Sequence, residues 1–159
     1  MYRRAEPVTW IAACRLVEKD PYSHKGIPSG HGLTDASLTM ATILIIDDEE
    51  MMRVLLRSTL KGAGYEVVEA SNGRQGLELY RRRPTDLVIT DIAMPEMNGL
   101  DMILELTRYF LDAKVIAISG EGGEKNVLDV AKLLGARRTM QKPFSMLQLL
   151  DVVRYELEH

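Results

Sequence analysis

From Ala41 onward, apolar and polar positions follow two alternating periods. Short, nearly continuous apolar runs at TILIID (42–47), YEVVEA (65–70), DLVITD (86–91) and AKVIAIS (113–119) predict buried strands, and RRTMQ (137–141) predicts a weaker strand at an edge. The stretches between them have helical spacing. EMMRVLLRSTLKGAG ends at Gly62 and Gly64, GRQGLELYRRR is stopped by Pro84, and NGLDMILELTRYF starts on Asn98 as an N-cap. KNVLDVAKLLGA is closed by Gly135, and FSMLQLLDVVRYEL has Pro143 just ahead of it. Strands that are apolar on both faces need helices on both faces, so five βα alternations predict an α/β fold with an open, doubly wound parallel sheet. In such a sheet, ligands sit outside the carboxyl ends of the strands.

Residues 1–40 lack this pattern and are expected to form an N-terminal extension to a domain spanning 41–159. Within them, RAEPVTWIAACRLVEKD predicts one amphipathic helix, with Trp10, Cys14 and Val17 at helical spacing. PYSHKGIPSGHGLTDASLT predicts a polar linker. Met40 opens the second pattern, as expected if the first forty residues are a leader. Leu157, Glu158 and His159 resemble the stub of a purification tag.

Composition narrows the function classes. Hydrophobic residues make up 46% and charged residues 27%, enough for a true core. The net charge of -3 and the lack of a clustered basic face count against nucleic-acid binding; the one dense basic run, Arg81 to Arg83, suits a helix C-terminus. No run is long enough to span a membrane, and the single cysteine excludes an intramolecular disulfide, so a cytoplasmic setting is expected.

The candidate chemistry lies at the strand ends. The first strand runs into Asp47, Asp48, Glu49 and Glu50, the third ends in Asp91, the fourth in Ser119, and the fifth is followed by Lys142 and Pro143. Each has a plain structural explanation: acids before a helix cap it and suit its dipole, Asp91 suits a turn cap, and Ser119 and Lys142 suit a turn and a solvated strand end. Together they point elsewhere. Two carboxylates about 4 Å apart repel by about 4 kcal/mol at an effective dielectric near 20. A cap does not need that many charges, whereas a hard divalent cation such as Mg2+ does. A carboxylate beside such an ion can attack phosphorus, and the resulting acyl phosphate needs a cation and a hydroxyl donor, which Lys142 and Ser119 would supply.

ILIIDDEE, DLVITDIAMPEMNG, VIAISG and GARRTMQKPF, in this order and spacing, resemble the receiver domain of two-component response regulators, of the stand-alone type. The resemblance covers about Ala41 to Glu156. It implies a flavodoxin-like five-stranded sheet in the order 2-1-3-4-5 and phosphorelay signalling with Asp91 as phosphoacceptor. It also implies Mg2+ held by Asp48 directly, Asp47 partly through water, Asp91 and the backbone carbonyl of Ala93. Ser119 would be the signalling hydroxyl, Lys142 the phosphate-pairing lysine, and Lys142–Pro143 a candidate cis bond. The implied partners are a sensor histidine kinase or phosphotransfer protein and a downstream protein, with a dimer through the fourth helix, fifth strand and fifth helix as one form of output. Such a domain is a signalling phosphoprotein and not an enzyme in the ordinary sense, although it can catalyse its own phosphoryl transfer.

The chain departs from the family pattern at several positions. Thr139 stands where the family usually has an aromatic switch residue, so no aromatic rotamer change is expected there. Ala93 offers no polar side chain to steer water; Glu121 does. GEGGE (120–124) is expected to be a mobile loop and not a phosphate-binding one. Two rivals are a phosphatase working through aspartyl phosphate, which would want an acid at Ala93, and an unphosphorylated receiver-like binding module, which would have lost the acids.

Overall fold

The computed structural model describes residues 40–120 and 126–159. The expected helix and linker before Met40, and Glu121 with most of the glycine-rich segment, lie outside these residues. Five parallel strands, β1 (Thr42–Ile46), β2 (Glu66–Ala70), β3 (Leu87–Asp91), β4 (Val115–Ser119) and β5 (Arg138–Gln141), form one sheet in the order β2-β1-β3-β4-β5. This is the predicted flavodoxin-like order, with β5 at an edge. Helices α1 (Glu50–Gly62), α2 (Gly73–Arg82), α3 (Gly99–Tyr109), α4 (Val127–Leu133) and α5 (Met146–Glu158) follow the successive strands.

The period-2 alternation of the strands divides the core in two. Leu44, Ile46, Val88, Val115 and Ala117 face α2, α3 and α4, where they meet Leu77, Met102, Ile103, Leu106 and Ala131. Ile43, Ile45, Ile89, Ile116 and Ile118 face the other way, onto Leu56 and Leu60 of α1 and Leu149 and Val153 of α5. β1, β3 and β4 are buried along their whole length, which explains why they read as continuous apolar runs, whereas β2 at the edge keeps Glu66 exposed. Each fully buried Leu or Ile contributes roughly 1.5–3 kcal/mol, so this double-sided core holds the strand ends in fixed register.

Helix boundaries differ from expectation in two places. The sequence predicts Pro143 next to the start of the last helix, but Pro143 and Phe144 both precede the cap, and α5 starts at Met146. The reason is a capping box. The Ser145 backbone N–H donates to Gln148 Oε1 (2.8 Å), and the Gln148 N–H donates to Ser145 Oγ (3.1 Å). α4 is shorter than its periodicity suggested and stops at Leu133. The turn that follows needs Gly135 at φ +115, where an added Cβ would also lie 2.8 Å from Thr107 Cγ2. α5 continues through Leu157, which packs on the core, and buried Glu156 accepts a hydrogen bond from Arg138 Nε at 2.7 Å.

Candidate functional site

Backbone hydrogen bonds gather the strand ends into one rim. The Asp47 N–H donates to Ala70 O (3.2 Å), Ile92 N–H to Ile118 O (2.8 Å), and Lys142 N–H to Ser119 O (2.7 Å). Each tie joins the residue just past one strand to its neighbour, so Asp47, Asp91, Ser119 and Lys142 emerge on the same edge of the sheet. The Lys142–Pro143 peptide is cis.

The segment after Asp91 shows why the chain turns so abruptly there. Gly99 N–H donates back to Ile92 O (2.9 Å), and a Cβ at Gly99 would sit 2.2 Å from Asp91 O and 2.7 Å from Ile92 Cα. Only glycine lets α3 start this close to the acceptor strand. Between them Met94 is buried, and Glu96 takes a left-handed backbone at φ +67. Asn98 caps α3 by accepting from the Asp101 N–H at 2.9 Å, so Asp91 is not the cap of the helix that follows it. The acids of DDEE give α1 no side-chain capping bond either: Glu49 stands at its N-cap position without one, and Asp47 Oδ1 instead accepts from the Glu49 N–H at 2.9 Å.

Asp47, Asp48 and Asp91 each place a carboxylate oxygen within 4.8 Å of the others. Asp47 (2% exposed) and Asp91 (7%) are buried, and Asp48 is exposed. Lys142 Nζ lies 3.5 Å from Asp91 Oδ1 and 3.9 Å from Asp47 Oδ2. One cation thus serves two buried carboxylates and leaves negative charge uncompensated. Burial pushes the Asp91 carboxyl up to about 6; Asp47 and Asp48 push the same way, and Lys142 opposes them. Burial also raises Asp47, against the Glu49 N–H and Lys142, which favour its ionised form. Clustered carboxylates short of positive charge, one of them open to solvent, have the hard-oxygen donor set that suits Mg2+. Removal of the amine by Lys142→Ala is expected to lower metal-free stability at pH 7 by about 1–3 kcal/mol, because two buried carboxylates lose their cation. Urea unfolding with and without Lys142 checks this.

The remaining candidates are placed unequally. Ser119 is buried at the end of β4, one position beyond Ile118, the register partner of Asp91, and among the described residues its hydroxyl makes only a long 3.5 Å contact to Gly120 O. Ala93 is exposed, two residues past Asp91. Thr139 pairs in register with Ala117, two positions before the Ser119–Gln141 pair, and stands back from the acids. One residue that sequence reasoning passed over is Arg53, whose Nη1 donates to the backbone carbonyl of Asp47 at 2.8 Å. Its signal was weak, since an arginine in a helix ordinarily reads as a solvated residue. Gly99 was legible as part of an Asn-Gly turn, but its contact with Asp91 was not.

Comparison with known proteins agrees with this architecture. The family model described as the response regulator receiver domain matches residues 43–154. Chemotaxis protein CheY of Thermotoga maritima is 39% identical over 112 residues, which span 70% of this chain and 92% of that protein. Sporulation initiation phosphotransferase F of Bacillus subtilis is 31% identical over 112 residues, covering 70% and 90%. The crystal structure of a response regulator receiver domain protein from Clostridium thermocellum superposes with a TM-score of 0.71 at 29% identity, covering 75% of this chain and 95% of that one. Among the described residues, no helix is long and apolar enough to cross a membrane. With the sheet order, the acidic rim and a match across most of its length, the chain belongs to the response regulator receiver domain family.

Proposed function

We propose that the chain is a phosphoacceptor in two-component signalling: Asp91 takes a phosphoryl group from a phosphohistidine of a sensor kinase or phosphotransfer protein. The observation that carries this reading is the placement of Asp91, buried among two other carboxylates within 4.8 Å and 3.5 Å from a single ammonium. Asp47, Asp48, Asp91 and the Ala93 carbonyl would hold Mg2+. Bound there, the ion would neutralise the acids and the charge that develops on the phosphoryl oxygens.

The chain's own groups account for the rest. An Asp91 oxygen forms the new P–O bond as the P–N bond to the donor imidazole breaks and the electron pair leaves with the imidazole nitrogen. Lys142, already within 4 Å of both buried carboxylates, pairs with the transferred group. The Ser119 hydroxyl, whose contact to Gly120 O is long at 3.5 Å, turns to donate to a phosphoryl oxygen. That movement at the end of β4 reaches β5 and α5 through the Lys142 N–H bond to Ser119 O, giving a phosphorylation-dependent surface for a downstream partner or a second copy. With alanine at position 93 there is no side-chain acid to protonate a leaving group, which disfavours a phosphatase.

Intact mass after incubation with acetyl phosphate and Mg2+ tests the reading. One phosphoryl-sized gain is expected for the unaltered chain and none for Asp91→Asn. An equal gain on both would exclude Asp91 as the acceptor.

A further inference from the structure

The carboxylates at the rim are oriented by the peptides that carry them, and the Asp47–Asp48 peptide has an unusual restraint. Its N-terminal side is fixed by the sheet, through the Asp47 N–H bond to Ala70 O at 3.2 Å. Its carbonyl oxygen accepts from Arg53 Nη1 at 2.8 Å, across one turn of α1. The Arg53 side chain is 18% exposed, and its Nε lies 3.9 Å from Glu69 Oε1; Arg57 Nη1 reaches the other oxygen, Glu69 Oε2, at 2.6 Å. Glu69 of β2 therefore anchors two arginines of α1, and only Arg53 carries that anchor onward to the acidic rim.

The direction of this bond matters. Arg53 donates to a backbone carbonyl and not to a rim carboxylate. Its effect on the rim is orientational. With the carbonyl turned toward α1, the plane of the Asp47–Asp48 peptide is set, and with it the direction in which Asp48 leaves the chain. Asp48 has no side-chain hydrogen bond of its own among the described residues, so the preceding peptide fixes its direction. The three acids lie within 4.8 Å of one another despite their repulsion, and a restraint on the peptide between two of them opposes their drifting apart.

The geometry points to Arg53 as a positioning residue for the cation site: Arg53, braced by Glu69, holds the Asp47–Asp48 peptide so that Asp48 faces the same point as Asp47 and Asp91. This inference rests on the Mg2+ reading of the rim given above. Residues that orient metal ligands typically change affinity by about 10–100-fold when removed.

The test is Mg2+ affinity by calorimetry, with urea stability measured in parallel without metal. In Arg53→Met the affinity is expected to fall by about tenfold or more. In Arg57→Met, which removes the tighter partner of Glu69 but leaves the carbonyl bond, it is expected to stay within about twofold of the unaltered chain, on the same scale. Should Arg53→Met fail to fold, Arg53→Lys carries the test: it keeps the charge but replaces a planar fork with a point donor on a shorter stem, so folded protein with reduced affinity supports the inference. Unchanged affinity in a folded Arg53 variant, or an equal loss in Arg57→Met, would overturn it and leave the cation site standing. Absence of Mg2+ binding by the unaltered chain would instead overturn the reading of the rim, and this inference with it.

Discussion

Gly99→Ala is expected to destabilise the chain by about 3 kcal/mol, the upper end of what overpacking ordinarily costs. The added methyl would lie 2.2 Å from Asp91 O, 2.7 Å from Ile92 Cα and 3.0 Å from the Asp91 carbonyl carbon. All three are backbone atoms, so rotation of a side chain cannot relieve the clash. The backbone of β3 is held by its pairing with β4 and by the Ile92 N–H bond to Ile118 O, and α3 by its Asn98 cap, so either the helix or the acceptor strand must move. Movement of the strand carries Asp91 away from Lys142, so phosphoryl uptake should fall together with stability. Gly62 is the matched control: a Cβ there meets nothing within 4 Å, and Gly62→Ala is expected to be neutral or stabilising by up to about 1 kcal/mol. Urea unfolding of both variants gives the comparison.

The second large effect is a pH dependence that Mg2+ should remove. Without metal, burial pushes the Asp91 carboxyl up to about 6 in the folded chain, above its ordinary value of 3.8. The folded state therefore binds its proton more tightly than the unfolded state does. The stability this provides is fully present below 3.8 and is lost as pH rises through about 6. The rise from 3.8 to about 6 corresponds to about 3 kcal/mol, and raised Asp47 adds to the loss in the same direction. Metal-free chain should unfold at lower urea at pH 7.5 than at pH 4.5. Saturating Mg2+ should remove the difference by favouring the ionised acids. Asp91→Asn should be more stable than the unaltered chain at the higher pH and show a shallower slope. A metal-free chain that gains stability over this range, with Asp91→Asn behaving identically, would place the charge crowding elsewhere.

Much of this was legible in the sequence because both signals are local. A strand covered on two faces can only be written as an apolar run, so TILII, LVITD and VIAIS announce themselves, and a carboxylate at the end of such a run is conspicuous. Asp47, Asp91 and Lys142 needed only the rule that ligands gather at strand carboxyl ends to be grouped together, and the structure brings them within ion-pairing distance. What stayed hidden depends on separation in space. The glycine in Asn98-Gly99 fits any turn; that it must let α3 pass against Asp91 appears only when the two backbones meet. Arg53 points back six residues to a carbonyl, a contact that helical periodicity does not encode. The start of α5 is a different case, since Ser145 and Gln148 form an S-x-x-Q signature that should have outweighed the proline ahead of it.

The central claim is that Asp91, and no other rim acid, becomes the acyl phosphate. The most direct measurement is borohydride reduction of the chain after treatment with acetyl phosphate and Mg2+, followed by peptide mapping. Hydride converts an aspartyl phosphate into homoserine and leaves free carboxylates untouched. Homoserine is expected at position 91 alone, with Asp47 and Asp48 recovered as aspartate. Homoserine at either of those positions, or unmodified aspartate at all three in chain that has gained a phosphoryl group, would contradict it.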